Sequence, residues 1–127
     1  MPVRMIRDGQ AYKIFAWERS NSCETLDFLI RLQEHCEPDY RRILALLKLT
    51  SESGPPRNPH SCLALHGQHA EGLYEFKAPR GARLIWFYDQ KRIIVCSHGF
   101  IKKQQKTPPS EIYKAQEIRR EYFKEKK

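Results

Sequence analysis

Apolar residues in the first half of the chain change from the pattern of a strand to that of helices. Residues 11–18, AYKIFAWE, are rich in aromatic and β-branched side chains, which predicts a strand. Asn21 follows as a helix cap with Glu24 three positions later, and the next apolar residues recur at helical spacing. Pro38 interrupts this pattern and begins a second helix, which ends at Gly54. The link between the two predicted helices is short, so they should pack as an antiparallel helical hairpin.

The second half predicts mainly strands. Residues 57–72 show no sustained period and predict a loop, with Leu63 and Leu65 as anchors on the core. Predicted strands follow at 73–78, 82–88 and 92–100. The turns between them are short, so these strands should form an antiparallel meander. A last helix begins after a pair of prolines, and its apolar face consists of Ile112, Ala115, Ile118 and Tyr122.

The predicted order of elements is β-α-α-β-β-β-α. This order is typical of an α+β fold with a small, antiparallel-rich sheet, a helical hairpin on one face and a C-terminal helix. A chain of 127 residues is large enough for one hydrophobic core, so residues 1–127 are predicted to form a single domain. Charges interrupt the first ten residues, and no later apolar run reaches membrane-spanning length. We therefore expect a cytoplasmic protein without a signal peptide.

Positive charge is concentrated in the second half of the chain. The net charge is +8, and residues 71–127 hold fourteen Lys and Arg against seven Asp and Glu. Residues 1–70 hold nine against eight. Such an asymmetry favours a polyanionic partner, RNA or DNA more than a membrane, because no lipid-facing amphipathic helix accompanies it. On charge alone, a basic protein without such a partner is an equally good interpretation.

Four cysteines lie far apart and form no C-x-x-C pair, so we expect reduced and mostly buried thiols. The nearest approach to a metal site is Cys62 with His66 and His69. These residues lack a fourth ligand at the usual zinc spacing. The sequence therefore predicts no metal site and no cofactor.

Cationic residues occur on one side of the predicted meander. Alternation along the strand places Glu75 and Lys77 on the side opposite Tyr74 and Phe76. Arg83 lies near the start of the next strand. An arginine there, beside a lysine on the neighbouring strand, is unusual unless it meets an anion or a carboxylate.

Two interpretations of this cluster remain open. Arg83 forms a cross-strand ion pair with Glu75, or it binds a phosphate together with Lys77 and Arg80. The phosphate interpretation is favoured by the basic segment that precedes the last helix. Its lysines are Lys102, Lys103 and Lys106.

The C-terminal half also resembles a known family. The strings LYEF at the end of the loop, ARLIW at the start of the next strand and HGFIKKQQKTP before the last helix carry the resemblance. Over residues 71–123 the chain resembles the RelE/ParE toxin superfamily, specifically its phage-related HigB-like branch. The N-terminal half agrees only in its strand-helix-helix order. The resemblance implies a type II toxin–antitoxin toxin that cleaves mRNA, usually in the ribosomal A site, and that an antitoxin holds inactive.

The resemblance also implies roles for single residues. Arg83 matches the strand arginine that steadies the scissile phosphate, and Lys77 matches a lysine of the preceding strand. Tyr113, in SEIY, lies where RelE carries a functional tyrosine in SEVY. Glu75 stands where RelE has a second lysine, so the acid–base pair of RelE does not transfer directly. Relatives bind phosphate in the basic stretch that contains Lys102, Lys103 and Lys106.

Cleavage of this kind needs no metal, because the RNA 2′-hydroxyl is itself the nucleophile. Lys77 would remove the proton, Arg83 would stabilise the transition state, and Tyr113 or His98 would protonate the leaving oxygen. Each of the last two residues has an equally simple structural interpretation. Alternation places His98 on the strand face of Ile94 and Cys96, where a histidine is commonly hydrogen-bonded near the core, and a tyrosine at a helix start commonly packs.

Two other functions remain open. A ParE-like toxin with the same fold would inhibit DNA gyrase by binding, and an inactive member would bind RNA without cleaving it. The expected partners are a cognate antitoxin, a helix-turn-helix protein of the HigA-like kind, together with mRNA and the ribosome, and no membrane.

Overall fold

The computed structural model describes residues 3–126, and within this range the chain forms six strands and three helices. The strands are β1 (Val3–Asp8), β2 (Lys13–Trp17), β3 (Cys62–Ala64), β4 (Tyr74–Lys77), β5 (Ala82–Asp89) and β6 (Ile93–Ile101). The helices are α1 (Glu24–His35), α2 (Glu37–Ser53) and α3 (Pro109–Glu125). Over the same residues, none of the helices combines the length and the apolar character needed to cross a bilayer. The single-domain prediction for 1–127 includes residues 1, 2 and 127, which lie outside the described range, and it stays a prediction.

All six strands form one sheet in the order β1-β2-β6-β5-β4-β3. The β2–β6 pair is parallel and the other pairs are antiparallel. The α+β fold with an antiparallel-rich sheet is therefore confirmed.

The predicted order lacked two strands, β1 and β3, and is corrected to β-β-α-α-β-β-β-β-α. Charges at three of the six positions of β1 (VRMIRD) obscure its period. β3 is only three residues long, and its pairing with β4 creates it inside the segment predicted as a loop.

The helices cover both faces of the sheet. Buried residues of the α1–α2 hairpin pack with Ile14, Phe76, Leu84 and Trp86 on one face. Buried residues of α3 pack with Ile85, Phe87 and Val95 on the other. The predicted division of β4 side chains between two faces is confirmed, and β5 divides in the same way, with Leu84 and Trp86 on one face and Ile85 and Phe87 on the other.

The start of α1 differs from the prediction. Asn21 is not its cap: Asn21 has a positive φ of 63° and lies in a turn closed by backbone hydrogen bonds between Arg19 and Ser22. Cys23 occupies the cap position and makes no side-chain capping bond. The second helix begins at Glu37, so Pro38 lies in its first turn. Backbone N–H groups there donate no helical hydrogen bond, so a proline costs the helix none.

A β-bulge in β6 changes the face of His98. Ile85 pairs with His98 while the next residue, Trp86, pairs with Cys96, so Ser97 is an extra residue on β6. The bulge turns His98 to the α3 face with Ile85, away from Cys96. The expectation that His98 shares a face with Ile94 and Cys96 is therefore wrong, because strict alternation does not survive the inserted residue.

Candidate functional site

Strands β4 and β5 present charged residues on the α3 face of the sheet. Lys77 pairs with Arg83, and Glu75 pairs with Ile85, so the three charged side chains share one face. The backbone N–H of Lys77 donates to the carbonyl of Ser61, which holds this end of β4 against the preceding loop. Register between two strands, rather than closeness in sequence, brings the charges together.

Glu75 and Arg83 form a buried pair. Glu75 is only 1% exposed, and its Oε1 accepts a 2.7 Å hydrogen bond from the hydroxyl of Thr107. Its Oε2 lies 3.9 Å from Nε of Arg83, whose side chain is 13% exposed. Nη1 of Arg83 donates to the carbonyls of Ala78 at 2.8 Å and Ala82 at 2.9 Å. The ion-pair interpretation of Arg83 thus describes its observed contacts, while its buried Nε makes no hydrogen bond.

Lys102 is held beside this pair by the turn between β4 and β5. Its backbone N–H donates a 2.7 Å hydrogen bond to the carbonyl of Gly81. Gly81 has a φ of 108°, and a Cβ there would lie 2.9 Å from the carbonyl oxygen of Lys102, so only glycine permits this approach. Burial, and then the positive charges of Arg83 and Lys77, lower the pKa of Lys102, while Glu75 opposes them. Lys102 therefore holds its proton less firmly than an ordinary lysine.

An open cleft of about 620 Å³ lies over these residues. Strand β4, the loop before it, the segment after β6 and the start of α3 form its walls. It is lined by Leu63, Ala64, Leu65, His66, Gly67, Gln68, Glu75, Lys77, Lys102, Gln105, Lys106, Thr107, Pro109 and Ile112. Nζ of Lys77 lies 3.2 Å from the carbonyl of Pro59, which steadies this side chain at the cleft wall.

Positive charge in the cleft exceeds negative charge. Within residues 3–126, no carboxylate lies within salt-bridge distance of Lys77, Lys102 or Lys106, and the one carboxylate in the cleft, Glu75, is nearest Arg83. Lysines that no carboxylate balances attract phosphate. We refer to Glu75, Lys77, Arg83 and Lys102 as the cleft cluster.

The structure brings only part of the sequence-predicted set together. Lys77, Arg83, Lys102 and Lys106 lie in or next to the cleft. Arg80 lies on the other side of the β4–β5 turn, toward α1 and α2. Lys103 is exposed outside the cleft lining.

Tyr113 and His98 also lie outside the cleft lining. Tyr113 is 53% exposed on α3, with its ring edge-on to that of His69 at 5.8 Å. His98 is 1% exposed beneath the start of α3. Its Nε2 lies 2.8 Å from Oε1 of Glu111, and its Nδ1 lies 2.8 Å from the hydroxyl of Ser97. Burial lowers the pKa of His98 and outweighs the opposing effect of the hydrogen bond to Glu111, so the neutral ring is favoured.

Sequence reasoning missed three features of the cleft. It treated Glu75 only as a departure from RelE or a partner of Arg83, although it is the buried carboxylate of the cleft. Thr107, which donates to it, gave no signal, because a threonine before two prolines is unremarkable. His66 was considered only as a metal ligand, yet it lines the cleft. Its position in a loop, next to Gly67 and Gln68, gave no hint of that role.

The residues weighed for metal binding do not form a site. Within residues 3–126, no three or more His, Cys, Asp or Glu side chains are arranged to hold a metal ion. Burial, and then Glu75, raise the pKa of Cys62 to about 11, so its thiol stays protonated near neutrality. Cys23, Cys62 and Cys96 are buried and Cys36 is partly buried, as expected for most of the four.

Comparison with known proteins agrees with this fold. The chain is similar to the S. aureus protein described as "The structure of YoeB dimer from Staphylococcus aureus", with a TM-score of 0.50 and 18% identity over 65% of this chain and 91% of that one. A second similar structure is "heterotetrameric complex of YoeB-YefM toxin-antitoxin from Staphylococcus aureus", with a TM-score of 0.49, 18% identity and the same coverage. No curated protein sequence matches the chain.

A family match identifies the relationship. The sequence model of the family described as "Phage derived protein Gp49-like (DUF891)" matches residues 31–120, which is well over half of the chain. This match includes the end of α1, all of α2, the strands β3 to β6 and most of α3. The RelE-like fold that the resemblance implied is confirmed, and the matched family is phage-derived, as the resemblance implied. The HigB-like branch stays a prediction. The chain belongs to the phage-derived Gp49-like family.

Proposed function

We propose that this protein is the toxin of a type II toxin–antitoxin pair and acts as a metal-independent endoribonuclease that cleaves mRNA. Family membership and the fold shared with YoeB support the toxin assignment. The observation that carries the nuclease assignment is the cleft cluster, where unbalanced lysines surround a buried Glu75–Arg83 pair beside an open cleft. A protein that only inhibits another protein by binding has no need of this arrangement.

The cleft suits single-stranded RNA. It is open to solvent, and its lysines Lys77, Lys102 and Lys106 come from two separate segments, so they can bind successive phosphates. Lys77 belongs to β4, and Lys102 and Lys106 belong to the segment between β6 and α3. RNA phosphates would replace the counterions of the lysines, and this release makes binding dependent on salt concentration.

The proposed reaction begins with attack of an RNA 2′-hydroxyl on the adjacent phosphorus. In this proposal Lys102 takes the role of general base that the sequence analysis gave to Lys77. It accepts the hydroxyl proton, since its lowered pKa makes the neutral amine more available than at an ordinary lysine. Lys77 stabilises the extra negative charge on the phosphate oxygens, and the guanidinium of Arg83, whose side chain is 13% exposed beside the cleft, adds to this stabilisation. The bond to the 5′-oxygen breaks as that oxygen takes up a proton, which leaves a 2′,3′-cyclic phosphate and a 5′-hydroxyl.

His66 is the cleft residue best placed to protonate the leaving oxygen, because its imidazole lines the cleft and a ring N–H can donate a proton there. This assignment replaces the roles expected for Tyr113 and His98, which do not line the cleft. Glu75, hydrogen-bonded to Thr107, orients Arg83 and limits the charge repulsion among the neighbouring cations.

We propose that cleavage takes place on mRNA bound to the ribosome.

We also propose that a cognate antitoxin, of the helix-turn-helix HigA-like kind, inactivates the protein by covering this cleft. A small partner with acidic side chains would complement the unbalanced lysines. In this proposal the toxin–antitoxin complex binds RNA less tightly than the free toxin.

A second candidate is an RNA-binding protein without nuclease activity. The observation in its favour is that Nη1 of Arg83 already donates to two carbonyls while Nε faces Glu75. An arginine so engaged can serve the fold alone. RNA binding by the cleft lysines would then survive without cleavage.

The test is an in-vitro translation reaction with purified protein, read by primer extension on the message. Wild-type protein should produce new 5′ ends, and Lys77→Met/Lys102→Met should not. A charge-matched control, Lys48→Gln/Lys124→Gln, changes exposed lysines outside the cleft and should cleave normally. RNA binding without new 5′ ends would favour the second candidate. Blocked DNA supercoiling with intact message would instead indicate a ParE-like gyrase inhibitor.

A further inference from the structure

A second depression lies across the β4–β5 turn from the cleft. Its volume is about 370 Å³, within the range of small-ligand sites. The depression, called here the α1 pocket, is lined by Phe28, Arg31, Leu32, His35, Cys36, Asp39, Arg80, Phe100 and Ile101. Nothing in the proposed cleavage reaction uses it.

One wall of the α1 pocket is a single stripe of α1. Phe28, Arg31, Leu32 and His35 are spaced i, i+3, i+4 and i+7, so they share one helix face. Phe28 and Leu32 are buried and form the apolar floor, while Arg31 and His35 are exposed above it. Ile101, 46% exposed at the end of β6, adds an apolar surface. The pocket therefore combines apolar surface with cationic and aromatic side chains.

A buried aspartate holds the other wall. Oδ1 of Asp39 accepts the backbone N–H of Arg80 at 3.0 Å, and Oδ2 accepts that of Ala82 at 2.9 Å. Both carboxylate oxygens are thus engaged by the turn. Within residues 3–126, neither Arg31 nor Arg80 is in a salt bridge. Two guanidinium groups therefore remain available to a ligand on a turn that Asp39 keeps in place.

The α1 pocket and the cleft adjoin the same piece of backbone. Ile101 lines the pocket and the next residue, Lys102, lines the cleft. The bond from the Lys102 N–H to the Gly81 carbonyl joins this segment to the turn that carries Arg80. A chain-like ligand with a phosphate at Lys102 can therefore continue past the turn into the pocket.

We propose that the α1 pocket binds one unpaired nucleotide of the RNA strand that occupies the cleft. The base packs on Ile101 and His35, and Arg31 and Arg80 bind its phosphate. Unpaired bases commonly stack on aromatic or planar side chains, and guanidinium groups bind phosphate through two parallel hydrogen bonds. The continuous RNA path rests on the proposed function, whereas nucleotide binding in the pocket does not require cleavage.

The first test is an NMR titration of the full chain with adenosine 5′-monophosphate and, separately, with inorganic phosphate. Adenosine monophosphate should shift the backbone amide signals of Arg31, Gly81 and Ile101, and inorganic phosphate should shift them at least about fivefold less at equal concentration, because it lacks the stacking base. The variant R31Q/R80Q should lose this response. Lys48→Gln/Lys124→Gln removes the same charge elsewhere and should keep it. Equal responses to both ligands would overturn the base-binding part of the proposal.

The second test uses RNA hexamers that carry 2′-O-methyl groups, which cannot be cleaved because the nucleophile is blocked. Hexamers with one abasic position each are compared with the intact hexamer. For wild type, one position should lower affinity by about fivefold or more, the effect of one stacked base. In R31Q/R80Q the abasic and intact hexamers should bind alike. If no position matters for wild type, the pocket does not bind a base.

These outcomes separate the pocket from the proposed function. Nucleotide binding that depends on Arg31 and Arg80, in a protein that cleaves no RNA, would support the proposed nucleotide site and contradict the proposed nuclease activity. Normal cleavage by R31Q/R80Q, together with no amide shifts from adenosine monophosphate in the wild-type protein, would support the proposed nuclease activity and contradict the proposed nucleotide site. A short acidic peptide that shifts the same amides when the nucleotide does not would assign the pocket to a protein partner and also overturn the proposal.

Discussion

Two pairs, each of a carboxylate and a basic side chain, lie on the α3 face of the sheet, and their surroundings differ. Glu111 and His98 lie 2.8 Å apart beneath α3, with Ser97 bound to the second ring nitrogen. Glu75 and Arg83 lie 3.9 Å apart at the base of an open cleft with two lysines nearby.

The two pairs differ in whether their polar groups are satisfied within the protein and in their access to solvent. The hydrogen bonds of His98 are satisfied within the protein, and burial lowers its pKa so that a neutral ring is favoured. The cleft cluster contains three cations and one carboxylate, so its charge is not balanced internally. A closed pair whose hydrogen bonds are satisfied within the protein serves the fold, whereas an open pair with an excess of cations can serve an anionic ligand.

The largest expected effect comes from Arg83→Ala. Cleavage should slow by between about a hundredfold and a thousandfold, since a preorganised donor to the phosphate is lost. The protein should also lose about 3 kcal/mol of unfolding free energy, because Glu75 would stay buried without its partner. Single-turnover cleavage and urea denaturation measure the two effects.

A double variant separates catalysis from stability at this site. Glu75→Gln/Arg83→Gln removes both charges, so it should recover most of the lost stability and yet remain slow. A double variant that cleaves at the wild-type rate would mean that Arg83 has only a structural role.

Lys102→Met should slow cleavage by about a hundredfold, the usual contribution of a general base. The lowered pKa of Lys102 also predicts the pH dependence. The base must be neutral, so the wild-type rate should rise with pH and level off below the usual pKa range of lysine. A rate–pH profile of both proteins checks this: the variant should lack the rise, and an identical slope in the variant would assign the base elsewhere.

A smaller effect should distinguish Lys103 from Lys106, two lysines of the basic segment before the last helix. Lys106 lines the cleft and Lys103 does not. Lys106→Gln should reduce the salt dependence of single-stranded RNA binding by about 0.7 in the log–log slope, the value for one lost contact. Lys103→Gln should leave the slope near wild type and is the matched control. Equal slopes for both variants would show that position in the cleft does not decide phosphate contact.

The smallest effect on cleavage is expected at the closed pair. His98→Gln should cleave within about twofold of wild type at neutral pH, and Tyr113→Phe should do the same. Stability should respond instead. The pKa of His98 is lower in the folded protein than in the unfolded chain, so its stabilising contribution is present above the unfolded value and is lost as pH falls. Thermal melts between pH 8 and pH 5, roughly spanning the ordinary histidine range, should fall less steeply for His98→Gln than for wild type.

A large loss of cleavage in His98→Gln, with an unchanged melting temperature, would contradict this division. It would restore His98 to the catalytic role that the sequence allowed. The comparison of the two pairs would then no longer separate structural from functional residues.

Periodicity explains why most of the fold was predictable. The alternation of Phe76 with Lys77 and the spacing of Ile43 and Leu47 follow from the geometry of strands and helices alone. The predictions that failed depended on partners distant in sequence. β3 exists because β4 pairs with it, and Asn21 caps no helix because a turn with a positive φ precedes α1.

The candidate site was predictable only in part. Lys77, Arg83 and Lys102 were identified from charge, strand pattern and family resemblance. The roles of Glu75 and His66 became visible only once the loop before β4 and the segment after β6 were placed around one cleft. Arg80 is close to Arg83 in sequence and was expected to bind phosphate with it, but the β4–β5 turn places Arg80 on the opposite side of the sheet.

The sequence by itself determined the helical hairpin, the faces of the central strands and the concentration of positive charge in the second half. Each of these depends on local period and composition. The tertiary structure alone decided that Lys102 lies beside Arg83 and that His98 faces α3. The first depends on a backbone bond between Lys102 and Gly81 and the second on a bulge at Ser97. Contacts between distant segments and insertions in a strand leave no periodic signal, so only the folded chain reveals them.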